Sequence, residues 1–392
     1  MFGIFNDNFP PILDGVALTA QNYAYWLNQK GHEVRVITPY APHSEDVIHA
    51  ASYPIDRFPS VPIPFRAPYR YGLPYLSPSF VRRFRKMDFE LVHAHCPFVT
   101  GDLAYSAAQK QHIPLVATFH SKYRQDFEHN VHSKCVVDWM VRHIIKFFDK
   151  ADEVWIPQAA VEPTLREYGY KGHVDVVENG NDFCTPVEQI VIMREEMRAE
   201  LGLRPDEIML LFVGQHIWEK NIGFILDALA LIKEKPFRLF MVGTGYAVRD
   251  IRTKIEELGL QNRVTMLGNI HDRERLKRID AAADLFLFPS LYDNAPLVVR
   301  EAAAMHTPAL MLQESTAAEV IRTDSNGFLT PNDIQAYAGR ITYLMEHPAL
   351  LKKVGDNAST TIARSWENVM DEVILRYRDI QQSYKIKHGI MV

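Results

Sequence analysis

Two carboxylates eight positions apart, Asp293 and Glu301, mark the segment of the chain with the clearest chemistry. The apolar run at 285–288 predicts a strand, and the pattern that follows Pro296 predicts a helix beginning near Leu297. Because the first N–H groups of a helix have no partner within it, and the helix dipole is positive at that end, an anion can bind there. A diphosphate at this helix start would have one carboxylate on the side of a sugar and the other on the side of a ribose. The same spacing also fits a capping aspartate followed by a solvent-facing glutamate.

A second loop supplies the opposite charge. The predicted strand 209–213 leads into Gly214 and Gln215, and Lys220 stands just before a helix predicted over 223–233. A lysine at a helix start is suited to compensate the charge of a phosphate. A plain surface lysine is the alternative interpretation. The run Gly243-Thr244-Gly245 also follows a predicted strand, but it lacks the third glycine and the later acid of a dinucleotide-binding fingerprint.

Short apolar runs that do not alternate with polar residues recur along the chain, separated by helical patterns. Such runs are typical of strands that are buried on both faces of a parallel sheet. The sequence therefore predicts the α/β fold class, with helices on both faces of the sheet. The predicted strands are 2–5, 34–38, 91–95, 115–118, 153–156 and 174–177, then 209–213, 239–242, 264–267, 285–288 and 309–312. A polar, irregular stretch at 179–205 separates the two series. We therefore predict an amino-terminal domain at 1–180, a carboxy-terminal domain at 181–365, and a last helix at 366–392 that docks back on the first domain.

Composition narrows the class of protein. With 392 residues, 47% hydrophobic and 23% charged, the chain has the make-up of a soluble globular protein. A net charge of −5 gives no reason to expect nucleic-acid binding. The three cysteines are far apart, which predicts no disulfide framework and no zinc site, and we expect each to be buried and inert. No Asp-x-Asp pair occurs, so no metal is expected, and the absence of a leader or a long apolar run predicts a cytoplasmic protein.

One stretch breaks the βα rhythm. Residues 53–86 contain seven prolines, eight aromatic residues and seven Arg or Lys, against a single acid, Asp56. This density of proline predicts a long ordered loop without helix or central strand. Its end, Arg82-Arg83-Phe84-Arg85-Lys86, fits two interpretations: a solvated helix start that packs its Phe side chains, or a surface that meets anionic lipid headgroups.

With both loops in this order, the chain resembles the family 4 glycosyltransferases of the GT-B fold. In that family a Gly-Arg-x-x-x-x-Lys loop and an E-x7-E motif contact the diphosphate of a nucleotide sugar. Residues 214–221 and 293–301 match these two motifs. Residues 8–17 are similar to the Pro-x-x-Gly-Gly-Val turn of the family, which approaches the donor phosphates and would bring Gly15 to them. Three residues differ from the family pattern: Gln215 replaces Arg, Asp293 replaces the first Glu, and Asp14 replaces the first Gly.

Within the family, residues 118–123 are similar to a Thr-Tyr-His-Thr-x-Tyr stretch of diacylglycerol glucosyltransferases. The resemblance implies that His120 lies on the acceptor side, near the transferred sugar. On the residues alone, a histidine that packs after a strand is an equally open interpretation. The last segments of the amino-terminal domain, 164–169 and 177–182, also resemble those enzymes.

The resemblance implies two Rossmann-like lobes with parallel sheets that face each other across a cleft. It implies a retaining, metal-independent hexosyltransferase that uses a nucleotide sugar, UDP-glucose or a similar one, and a lipid or glycan acceptor, with an anionic membrane surface as a candidate partner of 53–86. A nucleotide-sugar-binding protein with weak or lost transfer is the main alternative, and an epimerase or phosphorylase on the same fold is the third. The implied catalytic residues are His120, Asp293 and Lys220. The implied donor-binding residues are Gly15, Gly214, Gln215, Lys220, Asn269, Ile270, Asp293, Pro296, Leu297, Val298 and Glu301.

Overall fold

The computed structural model describes residues 1–12, 14–64 and 68–390, with the backbone alone at 129 and 130. The chain divides into two units. The amino-terminal unit is Met1–Asn179 together with the segment from Trp366 onward, and the carboxy-terminal unit is Gly180–Ser365. Within the described ranges, no helix combines the length and the apolar character needed to cross a bilayer.

The strands of the first 179 residues are β1 (Phe2–Phe5), β2 (Val34–Pro39), β3 (Ile55–Phe58), β4 (Ser60–Pro62), β5 (Arg70–Gly72), β6 (Leu91–Ala94), β7 (Leu115–Thr118), β8 (Glu153–Ile156) and β9 (Asp175–Val176). The helices of the same part of the chain are α1 (Gly15–Gln29), α2 (Glu45–Ala50), α3 (Pro78–Phe84), α4 (Val99–Gln111), α5 (Tyr123–Asn130), α6 (Lys134–Phe148) and α7 (Glu162–Glu167).

The sheet of the amino-terminal unit is parallel, with strand order β3-β2-β1-β6-β7-β8-β9. All four residues of β1, β6 and β7 are buried, which explains their unbroken apolar sequences, because helices cover both faces of such a sheet. The chain first builds outward on one side of β1 and then returns to build β6 on its other side. The carboxyl ends of β1 and β6 therefore lie side by side where the strand order reverses, the usual place for a ligand in an open α/β sheet.

The strands of the rest of the chain are β10 (Ile208–Val213), β11 (Phe237–Val242), β12 (Val264–Gly268), β13 (Leu285–Phe288), β14 (Ala309–Leu312) and β15 (Phe328–Thr330). The helices are α8 (Val187–Glu200), α9 (Ile222–Ala230), α10 (Val248–Glu257), α11 (Arg273–Ala282), α12 (Leu297–Ala304), α13 (Ile334–Met345), α14 (Pro348–Thr361) and α15 (Trp366–His388). Their parallel sheet has the order β12-β11-β10-β13-β14-β15, so the strand order reverses between β10 and β13. The α/β fold class predicted from the sequence is confirmed.

The last helix, α15, belongs to the amino-terminal unit, far from it in sequence. Trp366 and Tyr377 of this helix are fully buried, and the ring of Tyr377 stacks on Trp155 of β8 at a centroid distance of 5.6 Å. At the surface, Lys30 at the end of α1 forms an ion pair of 2.6 Å with Asp371. The helix is thus fixed mainly by buried aromatic side chains, and the ion pair adds little because such exposed pairs are weak.

The prediction that 53–86 is a long loop without helix is wrong, whereas its described part contributes no central strand, as predicted. This stretch contains β3 at the edge of the sheet, the antiparallel pair β4 and β5, and α3. Pro78 is compatible with α3 because it is the first residue of the helix, where no N–H is needed. Ser77 caps the helix by accepting from Phe80 N–H at 3.3 Å. Residues 65–67 of the stretch lie outside the described residues.

The polar stretch predicted to be irregular, 179–205, contains the fourteen-residue helix α8. Its sequence has no clear apolar periodicity because only Ile190 and Met197 are buried. Arginines hold it in place: Arg194 and Arg198 both bond to the carboxylate of Asp284, and Arg194 Nη1 also donates to the Ala283 carbonyl at 2.7 Å. A helix fixed by hydrogen bonds at its long side chains does not show in a hydrophobic pattern.

Two further expectations concern small residues. Cys96 is buried as expected, but Cys135 and Cys184 are exposed, so the expectation of three buried cysteines is wrong. The Gly243-Thr244-Gly245 run has a packing role: a Cβ on Gly243 would lie 1.9 Å from the Gly214 carbonyl oxygen, and one on Gly245 would lie 2.4 Å from the His216 carbonyl oxygen. These glycines let two loops at the end of the sheet pack backbone against backbone.

Substitution of Gly243 by alanine should therefore be strongly destabilising. The backbone φ of 133° disfavours any side chain, and the new methyl group would overlap the Gly214 carbonyl. We expect Gly243→Ala to lower the free energy of unfolding by roughly 2–4 kcal/mol, measured by urea denaturation. Gly339→Ala is the matched control, since Gly339 lies in α13 with open space around it, and it should raise stability by about 0.5–1 kcal/mol. Equal stability of the two variants would contradict the proposed packing role.

Candidate functional site

An ion pair joins the two loops that follow β10 and β13. Lys220 lies in a short 3-10 turn before α9, and its Nζ lies 2.5 Å from Oδ1 of Asp293. The side chain of Lys220 is only 11% exposed, so it is not the surface lysine of the alternative interpretation. Asn221 supports the same junction, because its Nδ2 donates to the Pro289 carbonyl at 3.1 Å. The sheet thus brings together two predicted site residues that are far apart in sequence.

Asp293 is held in this orientation by its own loop. The hydroxyl of the buried Ser290 donates to Asp293 Oδ2 at 2.5 Å, and Ser315 Oγ in turn donates to the Ser290 carbonyl at 2.6 Å. Asp293 does not cap α12: the cap position is Pro296, and the two carboxylate oxygens of Asp293 bond to Lys220 and Ser290. The alternative of a capping aspartate is therefore wrong.

The start of α12 offers backbone donors beside this pair. Pro296 itself donates no N–H, and the helix begins at Leu297, which is buried, followed by the half-buried Val298. The first N–H groups of a helix lack partners within it and lie at the positive end of its dipole. Together with the ammonium of Lys220, this arrangement is suited to an anion with several oxygens.

Glu301, one turn into α12, is buried and not solvent-facing as the alternative interpretation had it. Its Oε1 accepts from Arg273 Nη2 at 2.5 Å, and the same guanidinium bonds to Asp182 at 2.6 Å and lies over the Phe183 ring at 4.5 Å. Burial raises the pKa of Glu301, and the neighbouring Arg273 counteracts this shift. Burial acts to lower the pKa of Arg273, but the attraction of Glu301 and Asp182 outweighs it and raises that pKa.

The remaining predicted donor residues lie at the same carboxyl edge of this sheet. Gly214 ends β10 and donates its N–H to the Val242 carbonyl at 3.0 Å, and Gln215 beside it is half-buried. Asn269 and Ile270 follow β12; the amide of Asn269 is exposed and bonds to His271 Nε2 at 2.9 Å, and Ile270 packs on the hydrophobic core. The order of the strands along the sheet relates these residues to Lys220 and Asp293.

His216 and Arg300 are the two residues that could supply the charge which Gln215 lacks relative to the family arginine. His216 is buried, and burial lowers its pKa, so its imidazole is neutral. Arg300 is also buried and donates from Nη1 to the Ile362 carbonyl at 3.2 Å, toward the core. Lys220 is thus the cation that the two loops themselves present.

The amino-terminal unit holds the other predicted site residue, His120, directly after β7. Its Nε2 lies 3.1 Å from Nδ1 of His95, and the two rings are nearly parallel at a centroid distance of 5.3 Å. His93 extends the stack, with its centroid 4.2 Å from that of His95. Burial lowers the pKa of His120 to about 3 and those of His93 and His95 well below the usual range, so all three rings are neutral.

A second polar cluster lies at the ends of β1 and β6. Asp7 accepts from the backbone N–H of Thr100 at 3.2 Å and from its hydroxyl at 2.9 Å, and burial raises the pKa of Asp7 to about 6. Asp14 caps α1 by accepting from Ala17 N–H at 2.7 Å. The next residue, Gly15, is the first residue of α1 and is exposed, with open space where a Cβ would lie.

Several of these residues were missed from the sequence. His93, His95 and Asp7 stand at or just beyond strand ends, and that position in a parallel sheet is a signal that could have found them. Arg273 gave no such signal, since its role depends on side chains at 182 and 301 that only the folded unit brings to it.

Removal of the Arg273 guanidinium should leave the buried Glu301 carboxylate without its cation. We expect Arg273→Leu to lower the free energy of unfolding by about 2 kcal/mol and the double variant Arg273→Leu/Glu301→Gln to recover about 1 kcal/mol of it. Denaturant titrations of the full chain measure both effects. Arg275→Leu is the control on the same helix, because its ion pair with Glu200 is exposed and should contribute less than about 1 kcal/mol. Strictly additive single losses in the double variant would disprove the coupling.

Comparison with known proteins agrees with this architecture. The family model for glycosyltransferase family 4 matches residues 13–183, and that for glycosyl transferases group 1 matches residues 193–361. The alpha-monoglucosyldiacylglycerol synthase of Acholeplasma laidlawii is 26% identical over 369 residues, covering 91% of each chain. The putative glycosyltransferase EpsD of Bacillus subtilis is 26% identical over 383 residues, covering 93% of this chain and 94% of EpsD.

Solved structures show the same fold. The crystal structure of Anabaena HepE in complex with UDP and glucose gives a TM-score of 0.77 at 19% identity and covers 96% of this chain and 98% of that one. The sucrose-phosphate synthase of Thermosynechococcus elongatus gives a TM-score of 0.78 at 22% identity, with 97% and 96% covered. The two family models together span most of the chain, and with them the predicted resemblance is confirmed: the protein belongs to the family 4 and group 1 glycosyltransferases and has the GT-B fold.

Proposed function

We propose that this glycosyltransferase moves a hexose from a UDP-sugar, UDP-glucose or a similar donor, to a lipid or glycan acceptor, with retention of configuration and without a metal ion. The observation that carries the proposal is the set formed by Lys220, Asp293 and the open start of α12 at the reversal of the carboxy-terminal sheet. A cation and free N–H donors suit a diphosphate, and a carboxylate beside them suits sugar hydroxyls.

Departure of the diphosphate is the step that Lys220 and the start of α12 assist. As the bond between the anomeric carbon and the phosphate oxygen breaks, negative charge grows on the diphosphate, and donors already in place stabilise it without reorganisation. The acceptor oxygen bonds to the same face of the anomeric carbon, and the acceptor proton passes to the departing phosphate oxygen. No side chain needs to be a strong base, and protein donors take the part that a divalent cation has elsewhere.

The carboxylates of Glu301 and Asp293 would bind the ribose and the hexose of the donor, respectively. Oε1 of Glu301 accepts from Arg273, and in this proposal the other oxygen of the carboxylate accepts from a ribose hydroxyl. Asp293 is one methylene shorter than the family glutamate and would accept from hexose hydroxyls once a phosphate takes over Lys220. In this proposal Asn269 and Ile270 contact the base, and Gly15, Gly214 and Gln215 approach the phosphates.

The relatives support the choice of donor and acceptor class. The related protein of Acholeplasma laidlawii is named a synthase of monoglucosyldiacylglycerol, and HepE was crystallised with UDP and glucose. His120 follows β7 in a segment similar to those lipid glucosyltransferases, and its neutral ring fits a role in orienting a hydroxyl.

A nucleotide-sugar-binding protein with weak or lost transfer is the second candidate. It is favoured by Gln215, which removes a fixed positive charge, and by the pairing of Lys220 with Asp293, which neutralises the cation that remains. Tight UDP binding without turnover, together with a gain of turnover in Gln215→Arg, would favour this candidate over the enzyme.

Neutralisation of Lys220 tests the donor site. We expect Lys220→Met to weaken UDP binding about 10–100-fold, because one charge-assisted contact to phosphate is lost, and to abolish most UDP release from UDP-glucose in the presence of a chelator. Calorimetry and a coupled UDP assay measure the two effects. Lys254→Met is the control: Lys254 pairs with Asp227 in the same unit and should change neither quantity. Unchanged affinity in Lys220→Met would contradict the proposed site, and silence of a folded preparation with every nucleotide sugar would contradict the activity.

An anionic membrane surface is the partner that we propose for 53–86. Tyr71, Tyr75 and Leu76 of this stretch are exposed, at 53%, 76% and 70%, although they are large and apolar. The basic side chains around the end of α3 are exposed as well: Arg82, Arg83, Arg85 and Lys86. Aromatic side chains beside cations suit the interface of a membrane with anionic headgroups. We therefore propose a cytoplasmic enzyme that associates with the membrane of its lipid acceptor.

Reversal of the charges at the end of α3 tests whether this surface binds the membrane, or whether any cations of the protein would do so by unspecific attraction. The variant with glutamate at 82, 83, 85 and 86 should lose flotation with vesicles that contain anionic lipid, since each cation near such a surface contributes about 1 kcal/mol. The control carries glutamate at 249, 252, 352 and 353, four exposed basic positions of the carboxy-terminal unit, and has the same net charge. Equal flotation of both variants and the wild type would remove 53–86 as the membrane surface.

A further inference from the structure

A pocket lies between α3 and α4 of the amino-terminal unit. Its volume is about 450 Å³, which is within the range of small-molecule sites. Its apolar walls include Phe80, Val81 and Phe84 of α3 and Leu103 and Ala107 of α4. On each helix these positions are three or four residues apart, so each helix turns one continuous face to the pocket.

The floor of this pocket is formed by packed side chains. Phe80 is fully buried, and Leu103 and Ala107 are each only 4% exposed. The ring of Phe84 stacks on that of Phe80 at a centroid distance of 5.7 Å. Tyr75, in the turn before α3, also lines the pocket and is largely exposed. The apolar surface is therefore already in place and does not need to be assembled around a ligand.

Two cations line the same pocket, Arg85 at the end of α3 and Lys110 in the last turn of α4. Both are exposed, and within the described ranges neither side chain forms an ion pair. Arg83 differs, because it is paired with Asp56 at 3.4 Å. The charges of Arg85 and Lys110 are thus available to a ligand. Two cations beside an apolar wall suit a molecule with an anionic group and an apolar body.

The pocket lies toward the amino end of β6. Gln111, the last residue of α4, lines it and is bonded to the chain that leads into β6. Its Oε1 accepts from Phe89 N–H at 2.8 Å, and its Nε2 donates to the Met87 carbonyl at 2.9 Å. The predicted acceptor-side residue, His120, instead follows the carboxyl end of a strand of this sheet. The pocket is therefore a separate place in the unit and not the predicted acceptor side.

We propose that this pocket binds a single anionic lipid of the membrane, with its phosphate at Arg85 and Lys110 and the first part of an acyl chain against Val81 and Phe84. The charge of the two cations and their continuity with the basic end of α3 carry the choice of ligand. The membrane as the source of the lipid rests on the proposed function. The pocket itself makes a further claim, because binding must saturate at one lipid per chain and must need both the phosphate and the alkyl chain.

Soluble probes test the pocket without a membrane. We expect calorimetry of the full chain to show one equivalent of octyl phosphate bound. Octyl glucoside, which lacks the charge, and inorganic phosphate, which lacks the chain, should each bind at least about tenfold more weakly. Lys110→Gln should weaken octyl phosphate binding about tenfold, because one charge-assisted contact is lost. Octyl glucoside that binds as tightly as octyl phosphate would overturn the assignment of an anionic ligand.

A bulky side chain in the pocket separates it from the charged surface around it. Ser106 lines the pocket and is exposed, so Ser106→Phe fills the space without changing any charge. Gln109→Phe is the matched control, since Gln109 is exposed on the same helix but does not line the pocket. We expect Ser106→Phe to bind octyl phosphate at least about tenfold more weakly and to float less with vesicles of anionic lipid, and Gln109→Phe to match the wild type in both. Thermal melting shows that each variant is folded.

The outcomes separate the pocket from the proposed membrane partner. Equal affinity of Ser106→Phe and the wild type for octyl phosphate would overturn the pocket as the binding site. A wild type that binds octyl phosphate through the pocket but does not float with anionic vesicles would contradict the membrane proposed for 53–86, and the ligand would then be a free amphiphile. Loss of both octyl phosphate binding and flotation in Ser106→Phe alone would support the lipid of the membrane.

Discussion

The reversal of strand order in each parallel sheet is the constraint on which the candidate sites depend. In the carboxy-terminal unit it sets β10 beside β13, and the loops that follow meet as Lys220 and Asp293, 73 positions apart in sequence. In the amino-terminal unit it sets β1 beside β6, so that Asp7 and His95 emerge at neighbouring strand ends. Since strands buried on both faces carry mostly apolar side chains, the polar chemistry is concentrated at and near these edges.

The free-energy cost of burying a charge determines which of the buried side chains near those edges are ionised. Glu301 can stay ionised in its buried position because Arg273 faces it, and Arg273 is itself held by Asp182 and by the face of the Phe183 ring. Asp280 shows the opposite case: burial and the nearby Glu301 raise the pKa of its carboxyl well above the usual range, and the attraction of Arg273 offsets only part of this, so the neutral form is favoured. The histidine stack follows the same rule: its three rings are neutral, and a hydrogen bond joins His95 to His120 while His93 bonds to the hydroxyls of Tyr377 and Thr118.

The fold class and the core strands could be predicted from the sequence because buried parallel strands are continuous apolar runs, as in β10 and β13. Two strands at the edges of the sheets could not be predicted in this way. β15 is three residues long, and β3 lies among prolines that suggested a loop. The helix α8 was not predicted for another physical reason: hydrogen bonds from its arginines to Asp284 hold it in place, and such bonds leave no hydrophobic periodicity in the sequence. The motif residues of the proposed donor site could be named from the sequence because they follow strands at fixed spacings, whereas Arg273 and His95 bond to tertiary neighbours that no local pattern displays.

The charges at the carboxyl edge of the second sheet indicate what the replacement of the family arginine by Gln215 would change. In the donor site that we propose, Lys220 would be the cation that meets a diphosphate, since Gln215 replaces the arginine, and in the structure Lys220 is paired with Asp293. A phosphate must therefore compete with a carboxylate for the same ammonium, which weakens ground-state binding of the donor. As the diphosphate departs its negative charge grows, and the competition shifts toward it. An interaction that is weak in the ground state and strong as charge develops lowers the barrier more than one that is strong throughout. The loss of the arginine can thus cost donor affinity while the contribution of Lys220 to transfer remains.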